Sequence, residues 1–99
     1  MKSFAMLAAA AVFCVSSALG AAADGKAVYD QKCKSCHGAD GKGNPAIAKM
    51  MKVELKPLGA ESAEDIKEAI SKGHGKMKPV NGVSAKQADD VAAYIHTLK

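Results

Sequence analysis

The sequence predicts an all-α fold in which three main helices are joined by long loops. Two segments repeat apolar residues at the spacing of an amphipathic helix, and each begins with a serine that is followed three residues later by Asp or Gln, as in a capping box. No segment alternates apolar and polar residues over the length of a strand.

The first predicted helix spans about Gly25 to Lys34 and begins after Asp24, which is its expected N-cap. The helix continues directly into the pentapeptide Cys33–His37, and Gly38 ends it. The glycine-rich stretch that follows, residues 38–45, is predicted to be an irregular loop.

A short helical segment is predicted from Pro45 to Met51. The second main helix begins after Ser62, which forms a capping pattern with Asp65, and ends at Gly73. Its apolar stripe consists of Ile66, Ala69 and Ile70.

The third main helix spans about Ala85 to Leu98, with Ser84 and Gln87 as its capping pair. Its periodicity is the strongest in the chain. The apolar face consists of Ala88, Val91, Ala92, Ile95 and Leu98.

The strongest chemical signal is the pentapeptide Cys33-Lys34-Ser35-Cys36-His37. C-x-x-C-H is the attachment signature of c-type haem: two thiols at this spacing can add across the two haem vinyl groups, and the adjacent imidazole can bind the iron. A C-x-x-C pair also occurs in dithiol redox proteins and zinc sites, but the only other cysteine is Cys14. We therefore predict one covalent haem c, held by Cys33 and Cys36 with His37 as the proximal ligand; the alternative is a disulfide between the two cysteines.

Residues 1–23 predict a signal peptide that is removed on export. Lys2 supplies the positive charge, residues 4–19 are apolar and contain Cys14, and Ala21-Ala22-Ala23 offers a cleavage site. Removal of 23 of the 99 residues leaves one domain of 76 residues, 24–99, whose core would be marginal without a cofactor. The pattern predicts a soluble periplasmic product, and no later apolar run is long enough to be a membrane anchor.

All 14 basic side chains are lysines, and they outnumber the acidic side chains by four. The absence of arginine and the low aromatic content, 4%, argue against nucleic-acid binding. Five lysines flank the predicted haem-contacting segments and form either a solvated face or a docking surface for an acidic redox partner. These are Lys32, Lys34, Lys42, Lys76 and Lys78.

The sixth iron ligand decides between small-molecule binding and electron transfer. Met77 is the favoured candidate because it lies in a loop between Gly73 and Pro79, where glycine permits close backbone approach and proline stiffens the chain. A thioether ligand raises the reduction potential relative to a second histidine. The other candidates are Met50 and Met51, expected to pack against the haem edge or the core; His74, expected to be a solvated loop residue; His96, expected to be exposed; and a lysine amine.

Together these residues resemble the small monohaem class I cytochromes c of bacteria, over essentially the whole of residues 24–99. Gly25 and Tyr29 are similar to the glycine and aromatic of the family's first helix, and Tyr94 lies in a segment similar to the C-terminal helix that crosses it. The resemblance implies a cytochrome c-like fold wrapped around one haem.

The resemblance also implies that Met77 and Pro79 form the distal-ligand loop and that the ring of His37 donates to the carbonyl of Pro45. The family usually has proline directly after the ligand methionine, whereas here Lys78 intervenes.

The sequence therefore predicts a monomeric periplasmic electron carrier that cycles between Fe(II) and Fe(III) and is not an enzyme. Its expected partners are redox proteins, without nucleic acid. One alternative is a haem-based small-molecule sensor in which Met77 is displaceable. Another is a thiol–disulfide oxidoreductase using Cys33 and Cys36, which the absence of a βαβ pattern disfavours.

Overall fold

A computed structural model describes residues 20–98. Within this range the chain forms five α-helical segments and two short 3-10 turns, and contains no β-strand, so the all-α prediction is confirmed. Most of the predicted signal peptide, including Cys14, lies outside the described residues. Among residues 20–98 no helix combines the length and the apolar character needed to cross a membrane.

Helix α1 covers residues 20–32, so Asp24 lies inside the helix and the prediction of an N-cap at this position is wrong. Alanine has the highest helix propensity of all residues, and the three alanines at 21–23 carry the helix through the predicted cleavage site. After Cys33 the chain makes one further turn, α2, Lys34–His37. Gly38 ends this turn with a φ of 79°, and its N–H donates to the carbonyl of Lys34.

Helix α3 spans Pro45–Met51, with the bounds that the sequence predicts. Asn44 is its N-cap, and Lys52, which follows it, adopts the left-handed conformation with a φ of 56°. A 3-10 turn, Leu58–Ala60, lies between α3 and the next helix.

Helix α4 spans Ala63–Lys72 and α5 spans Ala85–Ile95, and both begin at the predicted serine caps. The hydroxyl of Ser62 accepts from the backbone N–H of Asp65, and Ser84 forms a complete capping box with Gln87. Gly73 ends α4 as predicted, whereas α5 tightens into a 3-10 turn, His96–Leu98, over its last predicted residues.

The core lies where α1 packs with α4 and α5. It contains the predicted stripes of the two later helices, except that Ala69 and Leu98 are half-buried. Tyr29 and Cys33 contribute from the α1 side, so the first cysteine of the motif is itself a core residue. The buried hydrophobic residues are Tyr29, Cys33, Ile66, Ile70, Ala88, Val91, Ala92 and Ile95.

Candidate haem-binding site

The two motif cysteines lie three residues apart at the junction of α1 and α2. Cys33 is buried and Cys36 is half-buried, and both are free thiols. Burial raises the pKa of the Cys33 thiol to about 11, with the neighbouring Cys36 as a second cause. Side chains three residues apart share one side of a helical turn, so the two thiols are suited to hold a single planar group at two points.

The imidazole of His37 follows immediately and is half-buried. Burial lowers the pKa of His37, which favours the neutral ring that binds metals. Its Nδ1 atom is buried and has no hydrogen-bond partner among the described residues. The ring nitrogen that does not bind a metal ordinarily donates to a carbonyl, a carboxylate or water, and the described residues give Nδ1 no such partner.

The hydrogen bond from His37 to the carbonyl of Pro45, implied by the family resemblance, is not formed here. Pro45 is the first residue of α3, so its carbonyl points along that helix toward the amide four residues ahead. Nδ1 of His37 therefore makes no orienting hydrogen bond within the described residues.

Two residues of the glycine-rich loop donate hydrogen bonds to backbone carbonyls of α2. The N–H of Gly43 donates to the carbonyl of His37 at 2.8 Å, and the N–H of Asn44 donates to the carbonyl of Cys36 at 2.9 Å. The side-chain Nδ2 of Asn44 donates to Ser35 at 3.1 Å. Sequence reasoning treated this segment only as an irregular loop and missed Asn44, although asparagine directly before a helix-opening proline is an N-cap pattern.

Met77 comes from a separate loop between α4 and α5, and its side chain is half-buried. Its backbone pairs with His74 through reciprocal hydrogen bonds of 2.9 and 2.8 Å. Gly73 has a φ of 81°, and a Cβ atom there would lie 2.6 Å from the carbonyl oxygen of Met77. Gly73 thus allows the chain to pass close to the backbone of Met77 within the same loop.

The remaining ligand candidates differ in exposure. Met50 is 70% exposed and does not pack in the core, while its packing against the haem edge stays a prediction. Met51 is half-buried, and His74 is exposed as predicted.

His96 was expected to be exposed but is half-buried, and its Nε2 lies 2.8 Å from the carbonyl oxygen of Glu61. The reason for this difference is the 3-10 turn His96–Leu98, which contacts the turn Leu58–Ala60.

The five lysines of the predicted docking surface are all exposed. Lys76 nevertheless has a structural contact, because its Nζ donates at 2.7 Å to the carbonyl of Met51, the last residue of α3. Carbonyls at the end of a helix lack partners within the helix, so the ammonium supplies one and ties the Met77 loop to α3.

The residues present fit a covalently held haem. Two free thiols and a half-buried imidazole whose pKa is lowered by burial lie within five consecutive residues. Over residues 20–98 no three side chains of His, Cys, Asp or Glu converge as a site for a bare metal ion. The structure therefore places Cys33, Cys36 and His37 together, and Met77 lies on a separate loop.

Comparison with known proteins gives a consistent result. Residues 20–95 match the family described as cytochrome C oxidase, cbb3-type, subunit III. The chain is 32% identical over 90 residues to cytochrome c-554(547) of Halothiobacillus neapolitanus, which covers 81% of this chain and 99% of that protein. It is 36% identical over 74 residues to cytochrome c6 of Microcystis aeruginosa, with 73% and 90% covered.

A third relative is longer than the matched region. Cytochrome c-555 of Methylococcus capsulatus is 36% identical over 72 residues, which cover 71% of this chain but only 55% of that protein. No solved structure matches the chain at a significant level.

Proposed function

The chain belongs to the cytochrome c family, and from this premise we propose that it is an exported, single-haem electron carrier in which His37 and Met77 are the axial ligands. A covalent haem c and electron transfer are properties of the family. The ligand set, the export and the identity of the partners are the parts of the proposal specific to this chain. The observation that carries it is the pair of free thiols, Cys33 and Cys36, beside the half-buried imidazole of His37.

When bound, the haem supplies one-electron chemistry between Fe(II) and Fe(III). Cys33 and Cys36 would hold the group through thioether bonds, and His37, whose pKa is lowered by burial, would present a ring nitrogen to the iron. The buried position of Cys33 joins the attachment point to the core, so the site moves little when the charge on the iron changes. A rigid and largely dry site is what a protein contributes to fast electron transfer.

Met77 completes the proposed ligand set with a soft thioether, which stabilises the reduced iron. Its support is the loop geometry: Gly73 and the paired backbone of His74 and Met77 define one tight conformation. A methionine held at this position would leave no open coordination position on the iron, which favours an electron carrier over an enzyme or a small-molecule sensor.

The proposed location is the periplasm, because residues 1–23 have the features of a signal peptide. The proposed partners are redox proteins with acidic docking surfaces, which the exposed Lys32, Lys34, Lys42 and Lys78 would attract. We propose that the carrier works as a monomer.

Replacement of both Cys33 and Cys36 by alanine tests the attachment. The purified variant should lose its haem into acidified organic solvent, whereas the wild-type protein should retain it. The variant should also fold poorly, because the cofactor provides much of the core of so small a domain. A wild-type protein that releases its haem under these conditions would contradict covalent attachment.

A further inference from the structure

Asn44 connects the turn that carries Cys36 and His37 to the loop that follows it. Its Nδ2 donates to the carbonyl of Ser35, its backbone N–H donates to that of Cys36, and the preceding Gly43 donates to that of His37. Three successive carbonyls of α2 thus each accept one hydrogen bond, and all three donors belong to the adjacent residues Gly43 and Asn44. The last carbonyls of a helix have no partner within it, so these bonds hold the end of α2 in place.

The same asparagine holds the start of α3. Its Oδ1 accepts from the N–H of Ala46 at 3.0 Å, and its carbonyl accepts from Ala48 at 3.0 Å. Because the side-chain amide is engaged through both its oxygen and its nitrogen, its orientation is fixed and α2 and α3 are joined as one unit. Asp or Ser could reproduce the cap on α3. Neither could supply the bond to Ser35, since Asp lacks a donor and Ser is too short.

We infer that Asn44 is a positioning residue for His37, fixing the direction in which the imidazole is presented to the iron. The inference rests on the proposed function, because it takes His37 as the proximal ligand. The ring has no protein partner at its buried Nδ1, so its direction depends on the backbone of α2. That backbone is held by the bonds from Asn44 and Gly43 to Ser35, Cys36 and His37.

The test compares the holoproteins carrying Asn44→Asp and Asn44→Ser with a control, Ser62→Ala. The control removes the N-cap bond of α4 without touching α2. The readouts are the NMR signals of the His37 ring in the oxidised protein and the hydrogen exchange of the backbone amides of residues 43 and 44, each compared with its intrinsic rate. Both Asn44 variants should shift the His37 signals and exchange these amides on the order of tenfold faster. Ser62→Ala should lower the Tm and change neither readout.

Unchanged His37 signals in both Asn44 variants would show that Asn44 only caps α3, and the inference would be wrong. Faster exchange with unshifted His37 signals would overturn it equally, because the loop would then move without affecting the ligand. A wild-type protein without covalent haem would instead contradict the proposed function. Extraction of the wild-type protein with acidified organic solvent, which does not involve Asn44, keeps these two failures distinct.

Discussion

Gly25 of α1 and Asp90 of α5 are in such close contact that a Cβ atom on Gly25 would lie 1.9 Å from the carbonyl oxygen of Asp90. The clashing oxygen belongs to the backbone, so no side-chain rotation can relieve the clash. Four residues further along α1, the ring of Tyr29 packs against that of Tyr94 with centroids 5.3 Å apart. These two contacts fix α1 against α5, and α1 leads directly into Cys33.

Gly25→Ala should therefore destabilise the protein severely. The added methyl group forces the two helices apart, and we expect a loss of about 3 kcal/mol or more in the free energy of unfolding. Ala27→Ser, at an exposed position of the same helix, should cost only about 0.5 kcal/mol through helix propensity. Chemical denaturation followed by circular dichroism measures both. A Gly25→Ala protein as stable as the wild type would show that the helices do not cross at this point.

Tyr29 should make stability depend on alkaline pH. Its hydroxyl donates to the carbonyl of Gly38 at 2.6 Å, and burial raises the pKa of Tyr29 from 10.0 to about 12. A folded-state pKa above the unfolded value gives a contribution that is complete below about pH 10 and is lost as the pH rises through about 12. Tyr29→Phe removes this contribution together with the hydrogen bond, which is worth about 1–2 kcal/mol at neutral pH.

The stability advantage of the wild type over Tyr29→Phe should consequently shrink between pH 10 and pH 12. Tyr94→Phe is the control, because the hydroxyl of Tyr94 makes no hydrogen bond within residues 20–98. A difference in unfolding free energy between wild type and Tyr29→Phe that stays constant up to pH 12 would contradict the raised pKa of Tyr29.

Gly73 should control the proposed Met77 ligand. Gly73→Ala places a methyl group 2.6 Å from the carbonyl oxygen of Met77 at a φ of 81°, so the loop must rearrange. We expect the near-infrared absorption band of methionine-bound Fe(III) to weaken or disappear. Gly75→Ala is a matched control, because Gly75 also has a positive φ, 56°, but a Cβ atom there meets nothing within 4 Å. Equal loss of the band in both variants would mean that backbone conformation, not the contact with Met77, is responsible.

The exposed lysines should accelerate association with an acidic redox partner. The electron-transfer rate constant should fall as salt rises, since charges are screened over ~8 Å at physiological ionic strength. Charge reversal at Lys34 and Lys78 should lower this rate constant, while Lys72→Glu, an exposed position in the last turn of α4, should change it much less. Lys76 is unsuitable for this experiment because it also bonds Met51. Stopped-flow kinetics that respond to neither salt nor substitution would leave the lysines as an ordinary solvated surface.

The sequence predicts those parts of the fold that depend on local chemistry. Ser84 and Gln87 cap α5 because both bonds of a capping box form within four residues. Pro45 opens α3, and Gly73 ends α4, for equally local reasons. The site residues Cys33, Cys36 and His37 are contiguous, so their proximity requires no knowledge of the fold.

The errors concern contacts between distant segments or competition between local signals. Lys76 reaches Met51 across 25 residues, and His96 reaches Glu61 across 35, distances at which a single sequence carries no pairing signal. The N-cap preference of Asp24 was overridden by the helix propensity of the three alanines before it. The bond from Asn44 to Ser35 depends on how the glycine-rich loop folds back on α2.

A covalent haem with Met77 as its sixth ligand is tested most directly by absorption spectroscopy of the purified protein. The oxidised wild type should show the near-infrared band of methionine-bound Fe(III), and the reduced protein should not bind carbon monoxide. Met77→Ala should lose the band and gain carbon monoxide binding, while Met50→Ala, at a 70% exposed position, should behave as the wild type. A band that survives in Met77→Ala but is lost in Met50→Ala or Met51→Ala would contradict Met77 as the sixth ligand and assign that role to the other methionine.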